Sequence, residues 1–137
     1  MKIVSACLAG INCNYKGQAS PCPKVIELVK QGKAIPICPE QLGGLTTPRT
    51  PAEINNGKVI TRDGKDVTGN FLDGAEEGVK IAQMTKCTQA ILKARSPSCG
   101  KGEIYDGTFT KTKVRGNGLF ADKLIKANID VITEEEL

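Results

Sequence analysis

The sequence predicts an α/β fold: a single three-layer domain over residues 1–137, with a small, mostly parallel sheet flanked by helices and a β-hairpin insertion. Three observations carry that expectation. Short apolar runs alternate along the chain with stretches of helical periodicity. The first two runs are separated by a whole helix rather than a turn, which favours parallel pairing. And 137 residues, 39% of them hydrophobic and 25% charged, suit one ordinary core.

Residues 2–7 (Lys-Ile-Val-Ser-Ala-Cys) form the first buried strand. Ser20-Pro21-Cys22-Pro23 then supplies a cap and an early proline for a helix with Val25, Ile26 and Val29 on its apolar face, closed by Gly32. Ala34-Ile35-Pro36-Ile37-Cys38 is the second strand. Residues 39–57 lack periodicity and are rich in Gly, Pro and Thr, a loop longer than a connector needs and therefore a functional candidate. Val59-Ile60-Thr61 and Asp66-Val67-Thr68 flank Asp63-Gly64 as a hairpin. A helix runs from Gly69 to Lys86 with Phe71, Ala75, Val79 and Ala82 on one face, where Gly74 and Gly78 permit close approach of a neighbour. Residues 89–94 form the third strand, a helix near 117–127 carries Leu119, Phe120 and Leu124, and Ile129-Asp130-Val131-Ile132 is the last strand. Glu134-Glu135-Glu136 reads as a solvated end.

Composition narrows the chemistry. The chain has six Cys, no His and no Trp, and its aromatic content is 4%. Without His, Ser-His-Asp triads, Cys-His proteases and His-containing zinc sites are excluded together. Few aromatics argue against a base-stacking platform for RNA, and a net charge of +4 is too mild to imply nucleic-acid binding by itself. The N-terminal apolar run has the wrong length and flanks for a signal peptide, and no stretch approaches the roughly 18 apolar residues of a membrane span. A cytoplasmic protein is expected. Thiols stay reduced there, so the cysteines read as metal, cluster or catalytic groups plus buried side chains rather than as a disulfide scaffold.

In open parallel sheets, ligands gather at the carboxyl ends of the strands. Cys7, Cys38 and Cys99 each fall at or just past the end of a different predicted strand. Cys13 and Cys22 lie in the loop after the first strand, and Cys87 belongs to the opposite rim. No Cys-x-x-Cys, phosphatase-type Cys-x5-Arg, Walker A or Gly-x-Gly-x-x-Gly motif stands where it would be needed. Three thiolates from separate strands suit zinc or an iron–sulfur cluster, and a three-ligand set leaves an open coordination position. The absence of a close Cys pair tilts the choice toward a [4Fe-4S] cluster, with zinc as the alternative.

Six blocks in order then resemble a known family. They are Val4-Ser5-Ala6-Cys7-Leu8; Cys38-Pro39-Glu40 with Gly43-Gly44; Pro48-Arg49-Thr50-Pro51-Ala52-Glu53-Ile54; Gly64-Lys65-Asp66-Val67-Thr68; Leu92-Lys93 through Ser96-Pro97-Ser98-Cys99-Gly100; and Ile104-Tyr105-Asp106-Gly107-Thr108-Phe109. Together they resemble, from residue 3 to about residue 132, the small prokaryotic thiouracil desulfidases long catalogued as a domain of unknown function. The resemblance implies a [4Fe-4S] cluster on Cys7, Cys38 and Cys99, with a thiopyrimidine's thiocarbonyl sulfur captured by the fourth iron. Cys13 sits in a similar block, Gly10-Ile11-Asn12-Cys13-Asn14-Tyr15, where Asn14 replaces the usual Arg.

A soft thiocarbonyl sulfur on a soft iron leaves its carbon open to water, so the expected reaction is a non-redox hydrolysis. With no His, Glu40, two residues from a ligand, is the expected base. Ser96 and Ser98 either orient water and substrate or cap the turn around Pro97. Lys93 interrupts an apolar strand, a costly position unless it is paired or directed to the site. Arg49 and Arg95 are candidates to hold a substrate oxygen or phosphate, and Tyr105 and Asp106 are secondary candidates for substrate binding. The competing expectations are a non-catalytic zinc or iron–sulfur redox-sensing module and, ranked lower, desulfuration of thiolated tRNA.

Overall fold

The computed structural model describes residues 1–137. The elements, in chain order, are β1 (Lys2–Ser5), α1 (Pro23–Lys30), β2 (Ala34–Ile37), α2 (Pro39–Leu42), β3 (Ala52–Asn55), β4 (Lys58–Thr61), α3 (Thr68–Met84), β5 (Gln89–Leu92), β6 (Glu103–Tyr105), β7 (Lys113–Arg115), α4 (Leu119–Lys126) and β8 (Asp130–Thr133). The strands β2-β1-β5-β8, in that order, make one four-stranded sheet, and every pairing in it is parallel. The mixed α/β architecture and its parallel sheet are those the alternating runs predict.

Strand periodicity divides the core into layers, because successive side chains point to opposite faces. Ile3, Ala90, Leu92 and Val131 pack on one face against Ala75 and Ala82 of α3 and Phe120 and Leu124 of α4. Val4 and Ile91 turn to the other face and meet Val25 of α1 and Leu8. Fully burying a Val, Leu, Ile or Phe side chain contributes about 1.5–3 kcal/mol relative to leaving it in water. α1 begins at Pro23 with Cys22 as its N-cap residue and no side-chain cap, so Ser20 does not serve the capping role expected of it.

The helix expected over 69–86 is α3, and its glycines do what their spacing suggests. A Cβ on Gly74 would lie 1.9 Å from the Pro39 carbonyl oxygen, and one on Gly78 would lie 2.5 Å from the Phe120 ring. Glycine is therefore required where α2 and α4 cross α3. The short helix α2 falls in what the sequence presents as a loop, with Pro39 at its first turn, where a missing N–H costs nothing.

The hairpin is present in a short form and a second partner is added. Residues 66–68 fold back on 59–61 around Asp63-Gly64 through one bridge at Ile60–Asp66 and backbone hydrogen bonds from Thr61 N–H to the Lys65 carbonyl (2.8 Å) and from Val67 N–H to the Val59 carbonyl (2.9 Å), but the full ladder of β4 is with β3. The reason lies in Asn56-Gly57: both residues adopt left-handed φ, 51° and 77°, the conformation of a two-residue turn whose twist matches that of paired strands. A second hairpin, β6–β7, has no counterpart among the expected strands. β1 ends at Ser5, and Ala6–Ala9 form a turn of 3-10 helix; the third strand likewise stops at Leu92. No helix is long and apolar enough to cross a membrane.

Candidate active site

The chain runs from β1 outward to β2 and then returns to β1's other side as β5. Such a reversal opens a crevice beyond the carboxyl ends of the strands. Cys7 lies in the 3-10 turn that follows β1, Cys38 directly follows β2, and Cys99 lies in the turn after β5. These three and Cys13 line one cavity of about 750 Å³. Cys22 packs beside the Val4–Val25 cluster, and Cys87, with its sulfur 3.1 Å from the Thr85 hydroxyl, is buried at the amino end of β5; neither lines the cavity.

The thiols are electrostatically unequal. The neighbouring Cys13 thiol, as a shared hydrogen-bonding partner, holds Cys7 and Cys38 below the ordinary thiol range. Cys13 is correspondingly pushed up by its interaction with Cys38 and Cys7. Burial pushes Cys99 up, only partly opposed by the Ser5 hydroxyl.

Glu40, in the first turn of α2, stands beside the ligand candidates. Its Oε1 is 3.8 Å from Cys38 Sγ and its Oε2 is 3.4 Å from Arg49 Nη2. Arg49 Nη1 also donates to Thr47 Oγ1 at 3.1 Å, which fixes the guanidinium from a second side.

The remaining candidates separate into cavity walls and scaffold. Lys93, Arg95, Ser96 and Tyr105 line the cavity; Ser98 and Asp106 do not. Ser96 Oγ accepts from the N–H groups of Ser98 (3.1 Å) and Cys99 (3.0 Å), so it closes the turn that presents Cys99. Ser98 is fully buried and its hydroxyl has no hydrogen-bond partner. Asp106 Oδ1 accepts from Thr108 N–H (2.9 Å) and Oγ1 (2.6 Å), and the Thr108 hydroxyl holds this carboxyl below its usual range. Asp106 thus shapes its own loop.

Lys93 and Arg95 are paired with the C-terminal acidic run, which is not a free solvated end. Glu134 accepts from Lys93 Nζ (2.8 Å) and from the Ala94 N–H (2.7 Å), Glu135 takes Arg95 in a two-pronged contact (3.0 and 2.7 Å), and Lys101 lies 3.8 Å from Glu136. These partners are about forty positions apart, beyond the reach of local sequence pattern. Ser5, Glu53, Arg62 and Phe109 also line the cavity and were not among the sequence candidates. Ser5 Oγ accepts from Lys93 N–H at 2.9 Å and so ties β1 to the end of β5; a serine within a buried strand is the signal that marks it.

The family described as 2-thiouracil desulfurase matches residues 3–136. The chain belongs to this family. Relatives of this 2-thiouracil desulfurase family member align along 98–100% of it. It is 43% identical over 147 aligned residues to the Bacillus subtilis (strain 168) protein named "Uncharacterized protein YbbK", covering 100% of this chain and 97% of that one. It is also similar to a solved structure described as the [4Fe-4S]-dependent thiouracil desulfidase TudS, with a TM-score of 0.93 and 40% identity over 98% of this chain and 91% of the other. The family is one of enzymes that cleave a carbon–sulfur bond.

The donor set of this 2-thiouracil desulfurase family member can be tested against the two metal expectations. No three Cys, Asp or Glu side chains converge as one ion requires, so the zinc alternative finds no support. Thiols that follow three neighbouring strands and line one cavity are instead the donor type that a polynuclear iron–sulfur group takes.

Proposed function

We propose that the chain removes the sulfur of a thiopyrimidine, 2-thiouracil or 4-thiouracil as free base or nucleotide, by net hydrolysis. Water supplies the oxygen, the carbon–sulfur bond breaks, and uracil and hydrogen sulfide leave without any net transfer of electrons. The observation that carries the reading is that Cys7, Cys38 and Cys99 line one cavity together with Glu40, in a chain of this family.

Cys7, Cys38 and Cys99 would hold a [4Fe-4S] cluster, which when bound supplies a soft Lewis-acidic iron to the thiocarbonyl sulfur. Glu40 takes a proton from the attacking water at one carboxylate oxygen, while Arg49 holds the other oxygen and thereby fixes the plane of the base. Ser96 keeps the Cys99 turn in place through its two accepted N–H bonds. Arg62, Lys65 and Lys111 line the cavity without a carboxylate within 4.0 Å, an electropositive rim that suits a phosphate-bearing form of the substrate.

Anaerobic reconstitution with iron and sulfide, followed by incubation with 2- and 4-thiouracil and their nucleotides, tests the reading. Equal release of uracil product and sulfide, with no electron donor present, is the expected result. Iron-loaded protein that leaves every thiopyrimidine intact contradicts it.

A further inference from the structure

The loop joining β6 to β7 holds two residues in a backbone conformation that side chains other than glycine rarely adopt. Phe109 and Lys111 both adopt left-handed φ, 59° and 62°, where an aromatic residue is rare because its Cβ crowds the backbone. Such strain persists only when surrounding contacts impose it, and it concentrates where a side chain must be aimed.

The contact that imposes it comes from another hairpin. Glu53 of β3 accepts the N–H of Gly107 at 3.0 Å and the N–H of Phe109 at 3.1 Å through the same oxygen, Oε1. A charged acceptor bonded to two backbone donors is among the stronger tethers available to a loop. Gly107 is needed for the approach: its φ is 94°, and a Cβ there would lie 2.8 Å from the Ile54 carbonyl oxygen. On the loop's own side, Asp106 and the hydroxyls of Thr108, Thr110 and Thr112 form a chain of short hydrogen bonds.

The result is an aromatic ring at the cavity wall. Phe109 lines the cavity, with the Arg62 guanidinium 5.6 Å from its ring centroid. In a chain with only three Phe and two Tyr, a ring aimed by a strained backbone at a polar cavity is conspicuous. A guanidinium over one part of an aromatic face makes a planar, electron-attracting border of the kind on which nucleobases stack.

We infer that Phe109, with Arg62 beside it, is the stacking surface for the planar pyrimidine ring, and that Glu53 is the positioning residue that presets the Phe109 loop. This deepens the thiopyrimidine reading and rests on it. Stacking holds ring forms without regard to the thiocarbonyl's position, so it acts on binding. Glu53, whose Oε1 is committed to the Gly107 and Phe109 N–H groups, acts through the loop.

The test separates binding from turnover. Phe109→Ala should raise KM for thiouracil about tenfold or more, as expected from losing a base–aromatic stack, with kcat changed less than about twofold and cluster absorbance unchanged. Phe109→Tyr should keep the wild-type KM. Glu53→Ala should raise KM in the same direction, and Glu53→Gln, which keeps an acceptor oxygen, should recover part of the loss.

Because the chain has no Trp, Phe109→Trp adds a single indole whose emission is excited apart from that of the two Tyr. Titrating uracil into that variant in its metal-free form should quench the emission saturably. An unchanged KM in active Phe109→Ala, or no quenching of Phe109→Trp by uracil, overturns the inference. Loss of wild-type desulfuration alone would sink the proposed reaction while the quenching experiment still decides whether a pyrimidine stacks here.

Discussion

Arg49 Nη2 lies 3.4 Å from Glu40 Oε2, and the two side chains are only 10% and 13% exposed. A surface pair would do little, but here both partners are largely buried. The pair sits between the cavity and the loop that follows α2, so it sets the orientation of the proposed base.

Glu40→Gln keeps the size of the side chain and removes its capacity to take a proton. It should lower kcat by about 10²- to 10⁴-fold, the usual worth of a positioned general base, while iron and sulfide content stay at wild-type level. Arg49→Ala should lower stability by up to about 3 kcal/mol, because it leaves a largely buried carboxylate without its partner. Chemical denaturation of both variants beside the metal analysis checks the two outcomes.

Gly74 is the close-contact point on which α2, and with it Cys38 and Glu40, is seated. Gly74→Ala places a methyl 1.9 Å from the Pro39 carbonyl oxygen, so backbone must move, and a loss of about 2 kcal/mol or more is expected from overpacking of this kind. Gly69, in the first turn of the same helix, is the control, because a Cβ there would meet no atom within 4 Å. Gly69→Ala should be neutral or stabilise by up to about 1 kcal/mol. Urea melts of the pair distinguish a local clash from a general intolerance of alanine in α3.

The C-terminal clamp should respond to pH in a defined direction. The Arg95 guanidinium holds Glu135 below its usual carboxylate range. A depressed carboxylate contributes stability above its unfolded-state pKa and loses that contribution as the pH falls through the lower folded-state value. Wild type should therefore lose part of an advantage over Glu135→Gln on acidification below the ordinary carboxylate range. Thermal melts of both proteins from neutral to acid pH give the comparison, and parallel curves would contradict the clamp.

Thiol exposure gives a direct footprint of the proposed ligands. Cys7, Cys22 and Cys38 are partly exposed, whereas Cys13, Cys87 and Cys99 are buried. Iodoacetamide should label the first three fastest in metal-free protein, and reconstitution should protect Cys7 and Cys38 but leave Cys22 at its original rate. Peptide mapping of the labelled chain reads this out.

Much of this arrangement was legible in the sequence because a parallel α/β sheet turns a one-dimensional pattern into a rim. Each apolar run has a visible end, and the residue just past it goes to the ligand side, which is how Cys7, Cys38 and Cys99 come together in the pattern as well as in space. The same rule sends Cys87 to the other side. Glu40 is found from its spacing to Cys38.

What sequence pattern missed has long-range or non-periodic causes. Glu134 meets Lys93 across the sheet edge from forty-one positions away, and the acidic run looks idle until that fold is made. The Asp63-Gly64 turn is legible in the sequence and forms; the Asn56-Gly57 turn, whose paired left-handed φ angles join β3 to β4, is not, because β3 lies in a stretch without clear periodicity. β7 is exposed along all three residues, so no alternation marks it, and Glu53 and Phe109 meet only because two separate hairpins do.

Whether three thiols hold the cluster at a site where water replaces sulfur is decided by anaerobic turnover of thiouracil by iron-loaded protein in ¹⁸O-labelled water, without reductant. One labelled oxygen is expected in each uracil, with one sulfide released per uracil, and both iron and turnover should be lost in each of Cys7→Ala, Cys38→Ala and Cys99→Ala. Unlabelled uracil, a requirement for an electron donor, or full iron binding in all three variants would contradict it.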